Sequence, residues 1–367
     1  MSPENVQEEV AEPELRSARV SGLTRNPRCS PSPDRYSPAQ GVEPPSSNAV
    51  RDSLVAFKFG GSSLLGAERM RHAAGLVRPV AKESLVVVIV SAMKGVTDRL
   101  LAVAQALADR DNLRARAEAE GVLRLHFDVL RELLPAVDDR AQVARDLDSL
   151  GQDLLHEIPA QGCLSATPEL FDRLASFGER LSARLFAAAL QNSGVPAVPV
   201  SSSEFVLTCD NFRDAKPHLE QTRQRGREVL LPLLADRVVP VVTGFVGATR
   251  DGRITTLGRN SSDFSGAIIA HVVEADELVI WTDVDGIFTA NPNESAEARL
   301  LHDLSYDDAH ALAAKGARVL HPHVLPLAAE TQMTVWVRNT FKPHVRGTRI
   351  GSHPASSDSA AQAGGAA

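Results

Sequence analysis

The sequence predicts an α/β protein in which helices cover both faces of a central, mostly parallel sheet. Short runs of β-branched residues, apolar at almost every position, indicate strands that are buried on both faces. Segments with helical character lie between these runs, and such alternation is typical of a three-layer α/β/α sandwich. The apolar fraction of 43% is ordinary for a globular chain, and a central region of about 300 residues is long enough for one large core.

Five apolar runs predict the strands of this sheet. They are residues 55–59 (VAFKF), 85–90 (LVVVIV), 238–242 (VVPVV), 278–281 (LVIW) and 334–337 (TVWV). The second run is leucine, valine and isoleucine throughout, so it is expected at the centre of the sheet, where helices cover both faces.

Three segments between the strands have the composition or periodicity of helices. Residues 109–161 are rich in Ala, Leu, Arg and Glu, and they predict a helical insertion. Residues 179–192 predict a helix whose end is marked by Gly194 and Pro196. Residues 264–273 predict an apolar helix that follows a polar turn.

The two ends of the chain differ in composition from its centre. Residues 1–50 are dominated by Pro, Ser, Glu and Arg, and they are predicted to be disordered because few apolar residues could anchor a fold there. Residues 351–367 are mostly Ser, Ala, Gly and Pro, and they are predicted to form a disordered tail. One folded domain is therefore expected from residue 51 to residue 350.

Charge and cysteine content exclude several classes of function. A net charge of −7 argues against nucleic acid as the main partner, because phosphate backbones bind to basic surfaces. The cysteines Cys29, Cys163 and Cys209 lie far apart, so neither a zinc site nor a disulfide framework is indicated. No apolar run is long enough to span a bilayer, and the N-terminus has no secretory signal. A soluble, cytoplasmic protein that binds small molecules, and neither nucleic acid nor membrane, is expected.

The first predicted strand runs into a glycine-rich turn, Gly60-Gly61-Ser62-Ser63, and Lys58 lies just before it. Adjacent glycines let backbone N–H groups approach an anion, and a helix that follows adds its dipole. A lysine at this place can stabilise charge on a phosphoryl group during its transfer. The spacing fits neither a Walker A loop nor GxGxxG. The alternative is a tight strand-to-helix turn with a lysine that reaches solvent, and on this motif alone the alternative is favoured.

Four further segments place polar residues at the predicted ends of strands or helices. They are SFGERLS (176–182), TLGRNSSD (256–263), WTDVDGIF (281–288) and GARVLHP (316–322). The first is expected to start a helix at Glu179, and the third leaves a buried strand and enters an acidic turn. In open α/β sheets ligands bind beyond the carboxyl ends of the strands, so these segments predict a binding site at that edge.

Taken in order, these segments resemble the motifs of the aspartokinases, which belong to the amino acid kinase superfamily. The matching stretches are FKFGGSSL, SFGERLSARL, TLGRNSSDFSGA, WTDVDGIFTANP and GARVLHP, and the resemblance covers residues 55–350. It implies the amino acid kinase fold, with a substrate lobe at residues 51–235 and a nucleotide lobe at residues 236–350. It also implies phosphorylation of the β-carboxylate of L-aspartate to 4-phospho-L-aspartate by ATP with Mg²⁺, in the biosynthesis of lysine, threonine and methionine. A homodimer is expected from the habit of the family.

The resemblance also implies roles for individual residues. Lys58 and Asp263 would be catalytic, with Asp263 orienting the lysine. The substrate-binding residues would be Ser91, Thr97, Glu179, Phe245, Arg259 and Ser262. The nucleotide-binding residues would be Lys58, Gly60, Gly61, Ser62, Thr282, Asp283, Gly286, Phe288 and Arg318. No side chain is expected to bind a metal directly.

Residue chemistry supports two of these roles and leaves alternatives to them. The carboxylate of Glu179 suits the α-amino group of aspartate, and the guanidinium of Arg259 suits a substrate carboxylate. Glu179 could instead be an acid that stabilises a helix N-terminus, and Arg259 could form a surface ion pair. Asp285 is interpreted as a turn former, and His321 as a structural residue.

The sequence departs from the family pattern mainly on the nucleotide side. Asn291-Pro292-Asn293 stands where the family has Asp-Pro-Arg, Phe288 where it has Tyr, and Arg318 where it has Lys. The chain ends soon after the kinase core, so ACT-type regulatory domains and feedback inhibition by lysine or threonine are expected to be absent. Two other functions stay open: a kinase of the same fold for another amino acid, and a catalytically weak binding subunit.

Overall fold

The computed structural model describes residues 52–158, 167–258, 261–290, 295, 297–314 and 320–352, and for residues 313 and 314 the backbone alone. Its strands are β1 (Leu54–Phe59), β2 (Leu85–Val90), β3 (Ala197–Val200), β4 (Val239–Thr243), β5 (Val246–Ala248), β6 (Ile254–Thr256), β7 (Glu277–Thr282), β8 (Ile287–Phe288), β9 (Leu300–Leu301), β10 (Asp303–Leu304), β11 (Thr334–Asn339) and β12 (Thr348–Ile350). Its helices are α1 (Ala67–Glu83), α2 (Val96–Ala108), α3 (Asn112–Leu133), α4 (Val137–His156), α5 (Pro168–Asn192), α6 (Leu219–Ala235), α7 (Ser262–Val273), α8 (Tyr306–Ala314) and α9 (Val324–Thr331).

An eight-stranded sheet forms the centre of the molecule, in the order β10-β12-β11-β7-β1-β2-β4-β3. The pairs β11–β7, β7–β1, β1–β2, β2–β4 and β4–β3 are all parallel, and β12 runs antiparallel to β11. The five predicted strands correspond to β1, β2, β4, β7 and β11, to within two residues at each end. Because these strands are parallel, their carboxyl ends lie at one edge of the sheet.

Both faces of the sheet are covered, as the apolar runs predicted. Val55, Phe57 and Phe59 belong to the core on one side, which also includes residues of α1 and α5. Ala56 belongs to the core on the other side, which includes residues of α6 and α7. Successive residues of a strand point to opposite faces, so Lys58 lies on the α7 side. The predicted α/β/α sandwich is thereby confirmed.

The helix that carries Glu179 begins earlier than the sequence analysis predicted. Helix α5 starts at Pro168, where Thr167 is the N-cap and its hydroxyl accepts a hydrogen bond from the backbone N–H of Leu170 at 3.2 Å. Gly178 lies inside this helix. A Cβ at this position would come within 2.7 Å of the Cβ of Ala92, so the glycine permits close packing. The predicted start at residue 179 is therefore wrong. Glu179 lies in the middle of a helix, so it is not an acid that stabilises a helix N-terminus.

Two smaller features complete the fold around the sheet. The predicted insertion consists of α3 and α4, which pack on one another and on α2 and α5. Strands β5 and β6 form an antiparallel hairpin, with Val246 opposite Thr256, just beyond the carboxyl end of β4. Within the described ranges, no helix is both long enough and apolar enough to cross a membrane.

Candidate active site

The candidate site is built from loops that leave the carboxyl ends of parallel strands. Residues 60–66 follow β1, residues 91–95 follow β2, and residues 244–245 follow β4. Residues 283–286 follow β7, and residues 340–347 follow β11. Since these strands are adjacent and parallel, the loops converge on one edge, which is where α/β sheets bind ligands.

The glycine-rich turn after β1 is held against the loop after β2. The N–H of Gly60 donates to the carbonyl of Trp281 at 3.3 Å, and the N–H of Lys94 donates to the carbonyl of Gly61 at 3.1 Å. A Cβ on Gly61 would lie 2.7 Å from the carbonyl oxygen of Ala92, so only glycine fits this close approach. A single turn of 3-10 helix, Gly61–Leu64, precedes α1.

Lys58 and Asp263 form a buried ion pair beside this turn. Lys58 is 7% exposed, and its Nζ lies 2.6 Å from Oδ1 of Asp263 in the first turn of α7. The same Nζ lies 3.6 Å from the position that a Cβ on Gly60 would take. A Cβ on Gly266 would lie 3.2 Å from the Cβ of Lys58, so α7 packs closely over the base of the lysine. The ammonium is therefore held over the glycine turn by Asp263, and it does not extend into solvent.

Glu179 presents a buried carboxyl group to the loop after β2. It is 3% exposed, and its Oε1 accepts a hydrogen bond from the backbone N–H of Ala92 at 3.2 Å. Burial raises the pKa of Glu179 to about 8, and the Ala92 N–H opposes that rise. Among the described residues, Glu179 Oε2 and the hydroxyls of Ser91 and Ser182 are buried without a hydrogen-bond partner. A ligand with N–H donors, such as an ammonium group, would provide the missing partner for the carboxylate.

Phe245 has a strained backbone conformation between β4 and β5. Its φ is 65°, in the left-handed region that bulky residues rarely adopt. Its N–H donates to the hydroxyl of Ser265 in α7 at 2.7 Å, and its carbonyl accepts from the N–H of Leu257 at 3.0 Å. Such conformations persist where the surroundings hold them, and they cluster at functional sites.

The loop after β7 contains four predicted nucleotide-binding residues. Thr282 ends β7, Asp283 is exposed, and Phe288 lies in the short strand β8. Gly286 has a φ of 145°, and a Cβ there would come within 2.6 Å of the Thr348 hydroxyl. The same hydroxyl accepts from the N–H of Ile287 at 2.8 Å, so the loop is held against β12.

Asp285 links the loop after β7 to the loop after β11. Its Oδ1 accepts from the Asn339 side-chain amide at 2.5 Å, and its Oδ2 lies 2.9 Å from Nζ of Lys342. Lys342 and Asn339, in that order of effect, lower the pKa of Asp285. Asp285 lies in the bend after β7, and its side chain also bridges two loops, which the interpretation as a turn former did not include.

The other predicted residues are placed as follows. Thr97 lies in the first turn of α2, and Ser262 in the first turn of α7. The carbonyl of Ser62 accepts from the Arg69 guanidinium at 2.7 Å. The ring of His321 stacks on Phe264 at 5.2 Å, which fits a packing role. Arg259, Arg318 and the segment 291–293 lie outside the described residues.

Three polar residues near the site were missed by the sequence analysis: Asp172, Ser182 and Ser265. Asp172 and Ser182 lie seven residues before and three residues after Glu179, spacings that put residues on one face of a helix. That signal was available, but the predicted helix began too late to include Asp172. Nothing in the sequence indicated that the Ser265 hydroxyl would bond to the distant Phe245.

Known proteins resemble this chain along most of its length. Residues 53–339 match the amino acid kinase family. Lysine-sensitive aspartokinase 3 of Escherichia coli is 32% identical over 297 residues, which cover 81% of this chain and 64% of the relative. Aspartokinase 1, chloroplastic, of Arabidopsis thaliana is 35% identical over 298 residues, which cover 80% of this chain and 51% of the relative.

A solved structure resembles the fold as well. The crystal structure of E. coli aspartokinase III in complex with aspartate and ADP superposes with a TM-score of 0.72 at 30% identity, and covers 83% of this chain and 66% of that one. The chain spans just under two thirds of the length of the E. coli relative and about half that of the plant relative. By sequence and by fold, the chain belongs to the amino acid kinase family.

Proposed function

We propose that this chain transfers the γ-phosphoryl group of ATP to the β-carboxylate of L-aspartate, giving 4-phospho-L-aspartate and ADP. The observation that carries the proposal is a buried glutamate with an unpartnered oxygen, Glu179, at the same sheet edge as the buried Lys58–Asp263 pair. The glutamate suits the ammonium end of an amino acid, and the lysine suits a phosphoryl group. Aspartokinases are among the relatives that the chain matches, and one of their structures is in complex with aspartate and ADP.

The substrate end of the site would use residues from helices α2, α5 and α7 and from the loops after β2 and β4, together with Arg259. Glu179 would bind the α-amino group, and Arg259 a carboxylate of aspartate. Phe245 would pack over the substrate. Ser91, Thr97 and Ser262 would complete the contacts, and the Ser91 hydroxyl is buried without a partner among the described residues.

The nucleotide end would use the glycine turn and the loop after β7. The backbone of the turn would hold phosphate oxygens, and the loop after β7 would line the rest of the nucleotide. The contributing residues would be Gly60, Gly61, Ser62, Thr282, Asp283, Gly286, Phe288 and Arg318. Lys58 would contact the transferred group, because its Nζ lies beside Gly60.

The chemical step follows from these positions. An oxygen of the β-carboxylate attacks the γ-phosphorus, the bond from that phosphorus to the bridging oxygen breaks, and ADP leaves with that oxygen. A carboxylate is already ionised at neutral pH, so the step needs no general base. Lys58 stabilises the charge on the equatorial oxygens, and Asp263 holds the ammonium in place for this contact.

Mg²⁺ would accompany the nucleotide. It neutralises phosphate charge, and in such sites it needs only one or two protein carboxylates besides phosphate and water ligands. Of the aspartates in these loops and in the first turn of α7, Asp263 is paired with Lys58 and Asp285 with Lys342, whereas Asp283 is exposed. Asp283 is therefore the side chain that would complete the shell of an ion held by the phosphates, which departs from the expectation that no side chain binds the metal directly.

Release of ADP in the presence of L-aspartate, L-glutamate or no acceptor tests the proposal. Trapping the acyl phosphate with hydroxylamine identifies the product as the aspartyl hydroxamate. We expect ADP release that depends on aspartate and forms the hydroxamate in equal amount. Turnover with glutamate but not aspartate would show a kinase for another amino acid, and no acceptor-dependent turnover would contradict the proposal.

A further inference from the structure

Asp172 is a buried carboxylate that holds two segments of backbone near the candidate site. It is 2% exposed and lies in helix α5. Its Oδ2 accepts from the N–H of Arg213 at 2.7 Å and from the N–H of Thr256 at 2.9 Å. Its Oδ1 accepts from the Thr256 hydroxyl at 2.7 Å. One side chain thus fixes strand β6 and the loop at residue 213 to the same helix.

The three hydrogen bonds offset a large desolvation penalty. Burial raises the pKa of Asp172, and the bonds from Thr256 and Arg213 oppose the rise. The guanidinium of Arg213 packs on the ring of Phe171 at 4.9 Å and adds a weaker attraction. An apolar side chain would fill the same volume without this penalty, but it could not fix the two backbone segments.

Helix α5 carries Asp172 and Glu179 on the same face. They are seven residues apart, which corresponds to about two turns and about 10 Å along the helix axis. Glu179 contacts the loop after β2, whereas Asp172 contacts Thr256 in the β5–β6 hairpin. A straight helix therefore sets the separation between the proposed ammonium-binding group and this hairpin.

The hairpin in turn holds Phe245. Thr256 pairs with Val246 across the hairpin, and the N–H of Leu257 donates to the carbonyl of Phe245 at 3.0 Å. Thr256 and Leu257 are thus bonded to Val246 and Phe245, so a shift of β6 away from Asp172 would also move Phe245. Phe245 is the aromatic residue expected over the substrate.

We propose that Asp172 is a positioning residue of the aspartate site, which fixes the β5–β6 hairpin and Phe245 at a set distance from Glu179. It thereby contributes to the selection of aspartate over glutamate, which is longer by one methylene. The assignment rests on the proposed function. A single methylene is discriminated by about 10- to 200-fold in well-formed pockets, so a small shift of Phe245 is enough to change the ratio.

Steady-state kinetics of Asp172→Asn tests the assignment. The amide places an N–H₂ group among backbone donors, so at least one hydrogen bond of the hairpin is lost. We expect KM for aspartate to rise about tenfold and the aspartate-to-glutamate ratio of kcat/KM to fall, with KM for ATP nearly unchanged. Thr256→Val, which removes one donor, is expected to raise KM for aspartate by a smaller factor. Thr256→Ser keeps the hydroxyl and is expected to keep the wild-type KM for aspartate.

His126→Gln serves as the matched control. His126 is fully buried in α3, far along the chain from the hairpin, and its Nδ1 contacts the carbonyl of Val122 at 2.7 Å. Its replacement is expected to lower stability without touching Phe245. If Asp172 contributes to stability alone, His126→Gln and Asp172→Asn should both lower Tm and both keep the wild-type KM for aspartate. Unchanged KM for aspartate in Asp172→Asn and Thr256→Val overturns the assignment and leaves the proposed function standing. A wild-type chain without aspartate-dependent turnover overturns both.

Discussion

Lys58 and Glu179 are both buried and both ionisable, but their surroundings differ. Lys58 has Asp263 at 2.6 Å, so its charge is compensated within the protein. Glu179 has one backbone donor at 3.2 Å and a second oxygen without a partner among the described residues. The lysine is therefore preorganised, whereas the glutamate acquires its counter-charge from the ligand. The two residues are expected to respond differently to substitution.

Replacing Lys58 by Met is expected to remove turnover while keeping the fold. The methionine fills a similar volume under Gly266, but it leaves the transferred phosphoryl group without its cation. We expect kcat to fall by about 10²- to 10³-fold or more, because groups of this kind act mainly on the transition state. The measurement is kcat from ADP release, with the far-UV circular dichroism spectrum as a check on folding. Lys82→Met, at an exposed position near the end of α1, is the control and is expected to keep wild-type kcat. A Lys58→Met variant with wild-type kcat would rule out the catalytic role.

Replacing Glu179 by Gln is expected to make the protein relatively more stable as pH rises. The folded-state pKa is about 8, above the ordinary 4.5, so the contribution of Glu179 to stability is complete below pH 4.5 and is lost as pH rises through 8. Gln does not titrate, so the variant escapes this loss. The free energy of unfolding of the variant relative to wild type should rise between pH 5 and pH 8, by at most about 5 kcal/mol. Urea unfolding at the two pH values measures it, and a difference that does not change with pH would contradict the burial of an ionisable Glu179.

Bound aspartate is expected to lower the pKa of Glu179 and so reverse the preference of this residue for its protonated form. An ammonium group beside Glu179 favours the carboxylate, so aspartate binding releases a proton below pH 8. KM for aspartate in the wild type should therefore fall as pH rises from 6 to 8, whereas in Glu179→Gln it should be high and nearly flat. Kinetics at saturating ATP over this range measures it. The same slope in both proteins would mean that Glu179 does not bind the ammonium.

At the scale of the element, helix α7 connects the phosphoryl end of the site to the aromatic residue over the substrate. Asp263 in its first turn pairs with Lys58, and Ser265 accepts the N–H of Phe245 at 2.7 Å and donates to the carbonyl of Ser261 at 3.1 Å. The hydroxyl therefore holds a strained residue, whose φ is 65°, against the helix. Without it, the N–H of Phe245 would be left with no partner in a largely buried place.

Replacing Ser265 by Ala is expected to weaken aspartate binding. Leaving a buried N–H without a partner costs about 1–3 kcal/mol, and Phe245 can relax from its left-handed conformation. We expect KM for aspartate to rise more than KM for ATP, together with a lower Tm. Ser265→Thr keeps the hydroxyl and is the conservative control, expected to restore KM for aspartate. Equal increases in KM for aspartate and KM for ATP would mean that Ser265 contributes only to the packing of α7 and has no specific effect on the aspartate site.

The elements themselves were predictable wherever the sequence pattern is local. The apolar runs identified five strands of the large sheet, because burial on both faces leaves few polar residues in them. The start of α5 was missed, although Thr167 followed by Pro168 is a typical N-terminal pair. Gly178 does not break this helix but permits close packing against Ala92, and that contact joins residues far apart in the chain. The bridge from Asp285 to Asn339 and Lys342 was missed for the same reason.

At the scale of the whole molecule, the two proposed lobes share one sheet. Strands β1, β2 and β3 come from residues 51–235, and β4, β7 and β11 from residues 236–350. Their order is β11-β7-β1-β2-β4-β3, so β4 lies between two strands of the first lobe. Neither lobe can complete its own sheet, because each would leave unpaired strand edges and uncovered apolar faces. The lobes are therefore expected to fold and unfold together.

Urea unfolding of the whole chain, followed by two probes, tests this expectation. Both tryptophans, Trp281 in β7 and Trp336 in β11, lie in the second lobe, so their fluorescence reports on that half. Far-UV circular dichroism is dominated by helices, and α1 to α6 all belong to the first lobe. We expect the two probes to give the same midpoint and the same slope, as a single cooperative transition requires. When the two lobes, residues 51–235 and residues 236–350, are expressed separately, neither should show a cooperative unfolding transition. A fluorescence midpoint clearly separated from the circular dichroism midpoint would mean that the nucleotide half folds on its own, and that the shared sheet does not couple the two ends of the site.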